Sequence, residues 1–156
     1  MIDFLAFFEI MQDWAGWLLM LFSFSIVLMW RHVRSDTKVV HAIWLCMLLH
    51  HAVAFLNAYG GGVIGTETEA INDIVGDART YHFYGSQAAL SEPEDGFWNN
   101  PRVAYTNSLG FFYRAFGVTF FLGDELSVLA FALSCVVLVK LVDLLDLRRF
   151  RVGIIL

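Results

Sequence analysis

The chain reads as an all-α integral membrane protein with three transmembrane helices and an outer loop that carries one or two short interfacial helices. Three observations predict this class. Of 156 residues, 58% are hydrophobic and only 16% are charged. A soluble domain is nearer half apolar and a quarter charged, so the balance favours lipid as solvent. Long apolar runs recur, each bounded by charge or by glycine. The basic residues gather near the ends of those runs and form no stripe, which leaves no nucleic-acid footprint.

Residues 1–13 interleave Asp3, Glu9 and Asp13 with apolar residues at roughly helical spacing. This segment either lengthens the first helix or lies in the membrane interface. Its acids argue against a cleaved signal peptide, which would begin with basic residues. The first span is 14–30, bounded by Asp13 and Arg31. At 1.5 Å per residue it covers roughly 25 Å, near the lower limit for crossing a bilayer. A connector, 31–38, holds Arg31, Arg34 and Lys38.

The second span, 39–59, contains His41, His50, His51 and Asn57 and ends at Gly60-Gly61-Gly62, which cannot sustain a helix cheaply. Residues 60–125 form the outer loop. Within it, Glu67 to Leu90 has few breakers and repeats Ile71, Ile74, Val75 and Ala78 at helical spacing. Thr66 or Thr68 would cap such a helix, with acids favoured in its first turn. Ser91 to Pro101 reads as irregular chain. The apolar run Leu109 to Leu122 carries Arg114 and two glycines, and reads as an interfacial or re-entrant helix. The third span is 126–145, followed by a basic tail, 146–156, with Arg148, Arg149 and Arg151.

Charge sets the orientation. Both basic segments belong in the cytoplasm, and the acid-rich stretch with Glu67, Glu69, Asp73, Asp77, Glu92, Glu94 and Asp95 faces outward. The expected location is the inner or plasma membrane, with the amino terminus and loop outside and the carboxyl terminus cytoplasmic. Three spans satisfy every marker, whereas four would place the terminal arginines outside. Cys46 and Cys135 fall inside apolar runs, where thiols behave as small hydrophobes and say nothing of redox compartment.

The densest polar chemistry is the hexapeptide Asp77-Ala-Arg-Thr-Tyr-His82. Asp73, Asp77 and Tyr81 follow at i, i+4 and i+8, one face of a helix. Two carboxylates one turn apart repel each other, so one stays protonated or a divalent cation settles between them. Asp77 is the candidate general base, and Asp73 with Asp77 the candidate metal ligands. Arg79, Arg102 and Arg114 are the fixed cations of 60–125, suited to phosphate or carboxylate. The plainer alternative is a solvated acidic loop whose Asp77 pairs with an arginine. Tyr81, His82, Phe83 and Tyr84 would stack on a sugar or headgroup, or sit at the interface for amphipathic reasons.

Histidine inside a span is costly unless it faces protein or water. His50 and His51 are adjacent and point about 100° apart, so they cannot hold one metal from one face. Either alone would suit a haem or chlorophyll, or would hydrogen-bond a neighbouring helix.

A span ending in glycine, followed by an outer Asp-Ala-x-x-Tyr-His, resembles the polytopic C-type glycosyltransferases and polysaccharide polymerases that use polyprenyl-phosphate sugars. Asn100-Pro-Arg-Val-Ala-Tyr105 and Leu109-Gly-Phe-Phe-Tyr-Arg-Ala-Phe-Gly117, with the apolar stretch from Leu126, look like that family's loop and second core helix. The likeness covers 71–145. It implies that Asp77 activates the acceptor hydroxyl, supported by Tyr81 and His82, while Arg102 or Arg114 meets the donor phosphate. Family members have many more spans, so the resemblance points to a leading portion, a split subunit or a reused remnant. The expected function is therefore a glycosyl-transferring membrane component. The alternative is a small non-catalytic accessory subunit of a larger membrane complex, bound to other membrane subunits, with its cofactor unknown.

Overall fold

The computed structural model describes residues 13–59, 69–90 and 101–156, of which 69–79 and 101 are described in backbone only. Every described element is helical: α1 (Trp14–Met29), α2 (Arg31–Arg34), α3 (Thr37–Tyr59), α4 (Glu69–Leu90), α5 (Pro101–Phe116), α6 (Phe120–Leu144) and a 3₁₀ turn at Arg148–Phe150. The expected segment 1–12, the caps Thr66 and Thr68 and the irregular 91–100 lie outside the described residues.

The helix ends follow from local chemistry. Trp30 adopts an extended backbone (φ −91°, ψ 115°) and separates α1 from α2. Asp36 starts α3, its Oδ1 accepting from the Lys38 N–H at 3.1 Å and the Val39 N–H at 3.5 Å. Pro101 opens α5, where a missing N–H is no loss. Gly117, at φ +99°, closes α5 with its N–H on the Tyr113 carbonyl at 2.9 Å, the left-handed stop that favours glycine. Thr119 caps α6, its Oγ1 accepting from Leu122 N–H at 3.2 Å. α6 ends with Asp146 at φ 57° and Leu147 N–H on the Val142 carbonyl at 2.9 Å.

Two sequence expectations change here. The run Leu109 to Leu122 is not one helix: Gly117 splits it, and its last residues belong to α6, which begins at Phe120 and not at 126. Hydropathy is blind to the backbone angle that makes this break. Of the three expected spans, two helices are long and apolar enough to cross a membrane, α3 with 23 residues and α6 with 25. α1 has 16 residues, about 24 Å at 1.5 Å per residue, short of a hydrocarbon core of about 30 Å.

The chain divides into two compact units. The first contains 16–54 and 125–156. Its core is aliphatic and largely β-branched, with Val27, Val33, Val39, Ile43, Met47, Ala132 and Val139 fully buried. Leu18, Leu21, Leu45, Leu49, Val137 and Leu141 stay exposed on the same helices, so these helices are apolar all round. Arg151 closes the unit, its guanidinium 2.5 Å from Asp143 and 3.5 Å from Asp36. Cys46 and Cys135 are free thiols.

The second unit contains 13–15 and 55–124, of which 60–68 and 91–100 lie outside the described residues. Its central feature is the packing of α4 on α5. Asn57 donates to Asp124 Oδ2 at 3.2 Å, and the Tyr59 hydroxyl donates to Asp13.

Candidate functional site

Glycine brings α4 and α5 together. A Cβ on Gly85 would lie 2.7 Å from Leu109 Cδ2, and one on Gly110 would lie 2.7 Å from Ala88 Cβ and 2.9 Å from its carbonyl carbon. At Gly110, where backbone stands in the way, only a bare Cα allows that approach, whereas at Gly85 the obstacle is the Leu109 side chain. The close contact sets Tyr81 edge-on to Tyr105, with ring centroids 5.0 Å apart at 80°, a favourable aromatic arrangement. One residue on, His82 Nδ1 lies 2.8 Å from the Tyr113 hydroxyl, and the His82 ring lies 5.1 Å from Phe120.

The electrostatics of this pair are set by burial. Tyr113 is 2% exposed, and burial, then Tyr105, then Asp124, hold its phenol well above the usual range. Burial pushes the half-buried His82 imidazole below its ordinary 6.5. Both groups are therefore neutral near pH 7. The Tyr113 hydroxyl and His82 Nδ1 share one hydrogen bond. With the phenol as donor, the imidazole hydrogen sits on Nε2.

The arginines differ from one another. Arg114 donates from Nε to the Ala89 carbonyl at 3.1 Å and from Nη2 to the Ala88 carbonyl at 3.1 Å. It thereby caps the last turn of α4, where the helix dipole favours a cation. Arg102 is exposed in the first turn of α5. Asp73, Asp77 and Arg79 lie on α4, and their side chains are outside the described residues. Among the described residues, no group of three or more His, Cys, Asp or Glu side chains is placed to hold a metal.

A second polar cluster lies in the first unit, on residues the sequence left unmarked or only half read. His51 Nδ1 is 3.0 Å from Glu125 Oε1 and 2.8 Å from Oε2. On the other side of the ring, Nε2 is 3.2 Å from Ser23 Oγ, which donates to the Met20 carbonyl at 2.6 Å. Ser23 and Glu125 are 0% exposed and His51 is 6% exposed. The order Ser–His–acid is that of a hydrolase triad. Here, however, the serine hydrogen is directed at a backbone carbonyl and every member is buried, so the hydroxyl is not poised as a nucleophile.

Both His51 nitrogens are engaged, which leaves none for a haem or chlorophyll. His50 points elsewhere: its Nδ1 is 2.8 Å from the Cys46 carbonyl and its ring stacks on Phe131 at 4.5 Å. Against family models, curated proteins and solved structures, the chain finds no match.

Several residues escaped the sequence reading. Glu125 lies in the second turn of α6 and not at the end of a loop. Its signal was an acid inside an apolar helix, the natural partner for a histidine in a span. Tyr113 was hidden in an aromatic run. Asn107 Nδ2 is buried with no hydrogen-bond partner among the described residues, and nothing in the sequence marked it.

Proposed function

We propose that the chain is an integral membrane component of a glycosyltransferase that uses a lipid-linked, polyprenyl-phosphate sugar. In this reading α1, α3 and α6 cross the inner or plasma membrane. The basic 31–38 and 146–156 are cytoplasmic, and the segment between α3 and α6 lies outside. Asp77 is the general base that takes the acceptor hydroxyl's proton, and a divalent cation shared with Asp73 is compatible with their spacing. Tyr81 and His82 support it, while Arg79 or Arg102 meets phosphate.

The observation that carries this reading is the pairing across α4 and α5. The Asp-Ala-x-x-Tyr-His stretch and the downstream aromatic stretch carry the resemblance, and Tyr81–Tyr105 and His82–Tyr113 bring them into contact. A neutral His82 with its hydrogen on Nε2 suits a donor to a phosphate or sugar oxygen, and Asp77 then remains the base. General-base assistance is usually worth about 10²–10⁴ in rate. Asp77→Ala should therefore abolish detectable sugar transfer and the surface glycan that depends on it. An unchanged glycan in that strain would overturn the assignment.

A second reading is a non-catalytic accessory subunit. The exposed Leu18, Leu21, Leu45 and Leu49 favour it, because partner helices would cover them as well as lipid does. Purification from native membranes separates the two: a fixed ratio to other chains without transfer activity marks the subunit.

A further inference from the structure

We propose that Ser23, His51 and Glu125 form a buried site whose ligand is a single proton, held between His51 Nδ1 and the Glu125 carboxylate in addition to the ring hydrogen on Nε2. The inference is independent of the glycosyl-transfer reading. It rests on where hydrogens can sit. Ser23 has one hydroxyl hydrogen, and its 2.6 Å contact with the Met20 carbonyl is the better bond of its two. The oxygen is then an acceptor toward His51, so Nε2 carries a hydrogen.

Across the ring, Nδ1 lies 3.0 and 2.8 Å from the two carboxylate oxygens. A bare nitrogen facing an ionised carboxylate would set lone pair against lone pair at hydrogen-bond distance. A proton must lie between them. The pair then carries two hydrogens, one on Nε2 and one in the Nδ1–carboxylate contact. Imidazolium with carboxylate and imidazole with carboxylic acid are two forms of that same count.

Charge leads to the same result. Glu125 is 0% exposed. Among the described residues, His51 is the one basic side chain within ion-pair distance of it. The Phe24 ring packs 4.9 Å from the His51 ring, so the surroundings are apolar. An uncompensated carboxylate there would bear a desolvation cost of several kcal/mol, which the bound proton removes.

The test uses the full chain in phosphatidylcholine vesicles at neutral pH, with ¹⁵N-labelled histidine and Glu labelled with ¹³C at the carboxyl. Solid-state NMR recoupling of ¹⁵N to ¹³C selects the histidine nitrogen closest to a glutamate carboxyl. The expected result is a strong coupling to one Nδ1 whose partner Nε2 is protonated, with either a second ring hydrogen or a ¹³C shift of a carboxylic acid. Glu125→Gln should remove that coupling and leave His51 with one ring hydrogen; the wild-type spectrum decides even where this variant fails to fold. A bare Nε2 beside an ionised Glu125 would overturn the proposal, as would the absence of any histidine–glutamate coupling.

Discussion

The two units hold their helices together by opposite means. In 16–54 with 125–156, β-branched aliphatic side chains fill the contact, and the fully hidden polar tie is the one of Ser23, His51 and Glu125 among the described residues. Apolar residues remain on the outside. In α4 and α5 the backbones themselves approach, through Gly85 and Gly110, and the seam is finished by aromatic edges and the Arg114 cap. The first arrangement suits helices whose solvent is lipid, where a hidden polar tie is a strong specifier. The second suits amphipathic helices that must place side chains at defined points.

The largest effect is expected from cutting the polar tie. Glu125→Ala leaves His51 buried without its acid and should cost about 3–5 kcal/mol, the range for a buried pair broken on one side. His51→Leu with Glu125→Met should restore most of that loss, since no lone charge remains. Unfolding in detergent monitors both variants. If the double replacement is as unstable as the single one, the tie is not the feature that distinguishes this unit.

Next is the glycine seam. Gly110→Leu drives a side chain into Ala88, whose carbonyl carbon and the Ala89 nitrogen lie 2.9 and 3.0 Å from the new Cβ. Backbone cannot yield, so a loss of about 1–3 kcal/mol is expected. Hydrogen exchange should show it in α4 and α5. Gly85→Ala meets only the movable Leu109 side chain and should cost less. Equal losses at the two positions would mean that the helices do not meet as described.

Asp36→Ala removes the α3 cap and should cost about 1 kcal/mol in the first unit, read as faster amide exchange at Lys38 and Val39. The smallest effect is the pH response of the second unit, since His82 is only half buried and solvent screens it. Unfolded, His82 binds a proton near 6.5 and in the fold only below that, because burial lowers its affinity. The unfolded chain then holds more protons, so stability falls as pH drops below 6.5 and is flat above it. Tyr113 acts in the opposite sense: its ordinary value is 10.0 and the fold raises it, so stability falls as pH climbs past 10.0. His82→Phe should erase the acid limb, and Tyr113→Phe the alkaline one.

Much of the helical plan was legible because composition and run length report what solvent each stretch prefers. The α4 helix was visible in Ile71, Ile74, Val75 and Ala78, whose spacing needs no tertiary information. What escaped depends on distance in space. Ser23 looks like any small residue in an apolar run until His51 lies 3.2 Å from it. Arg114 looks like a free phosphate ligand until the end of α4 comes within reach of its guanidinium. The break at Gly117 was written in the sequence as a glycine after Phe116, but only its φ of +99° shows it to be a stop.

That glycine has a consequence for handedness. A Cβ built on Gly117 meets nothing within 4 Å, so room is not what excludes a side chain there. The torsion alone does, and a torsion of that sign is comfortable for the mirror-image amino acid. D-Alanine installed at 117 by chemical ligation should fit and stiffen the corner, where its L-enantiomer would strain it: a joint that discriminates by chirality.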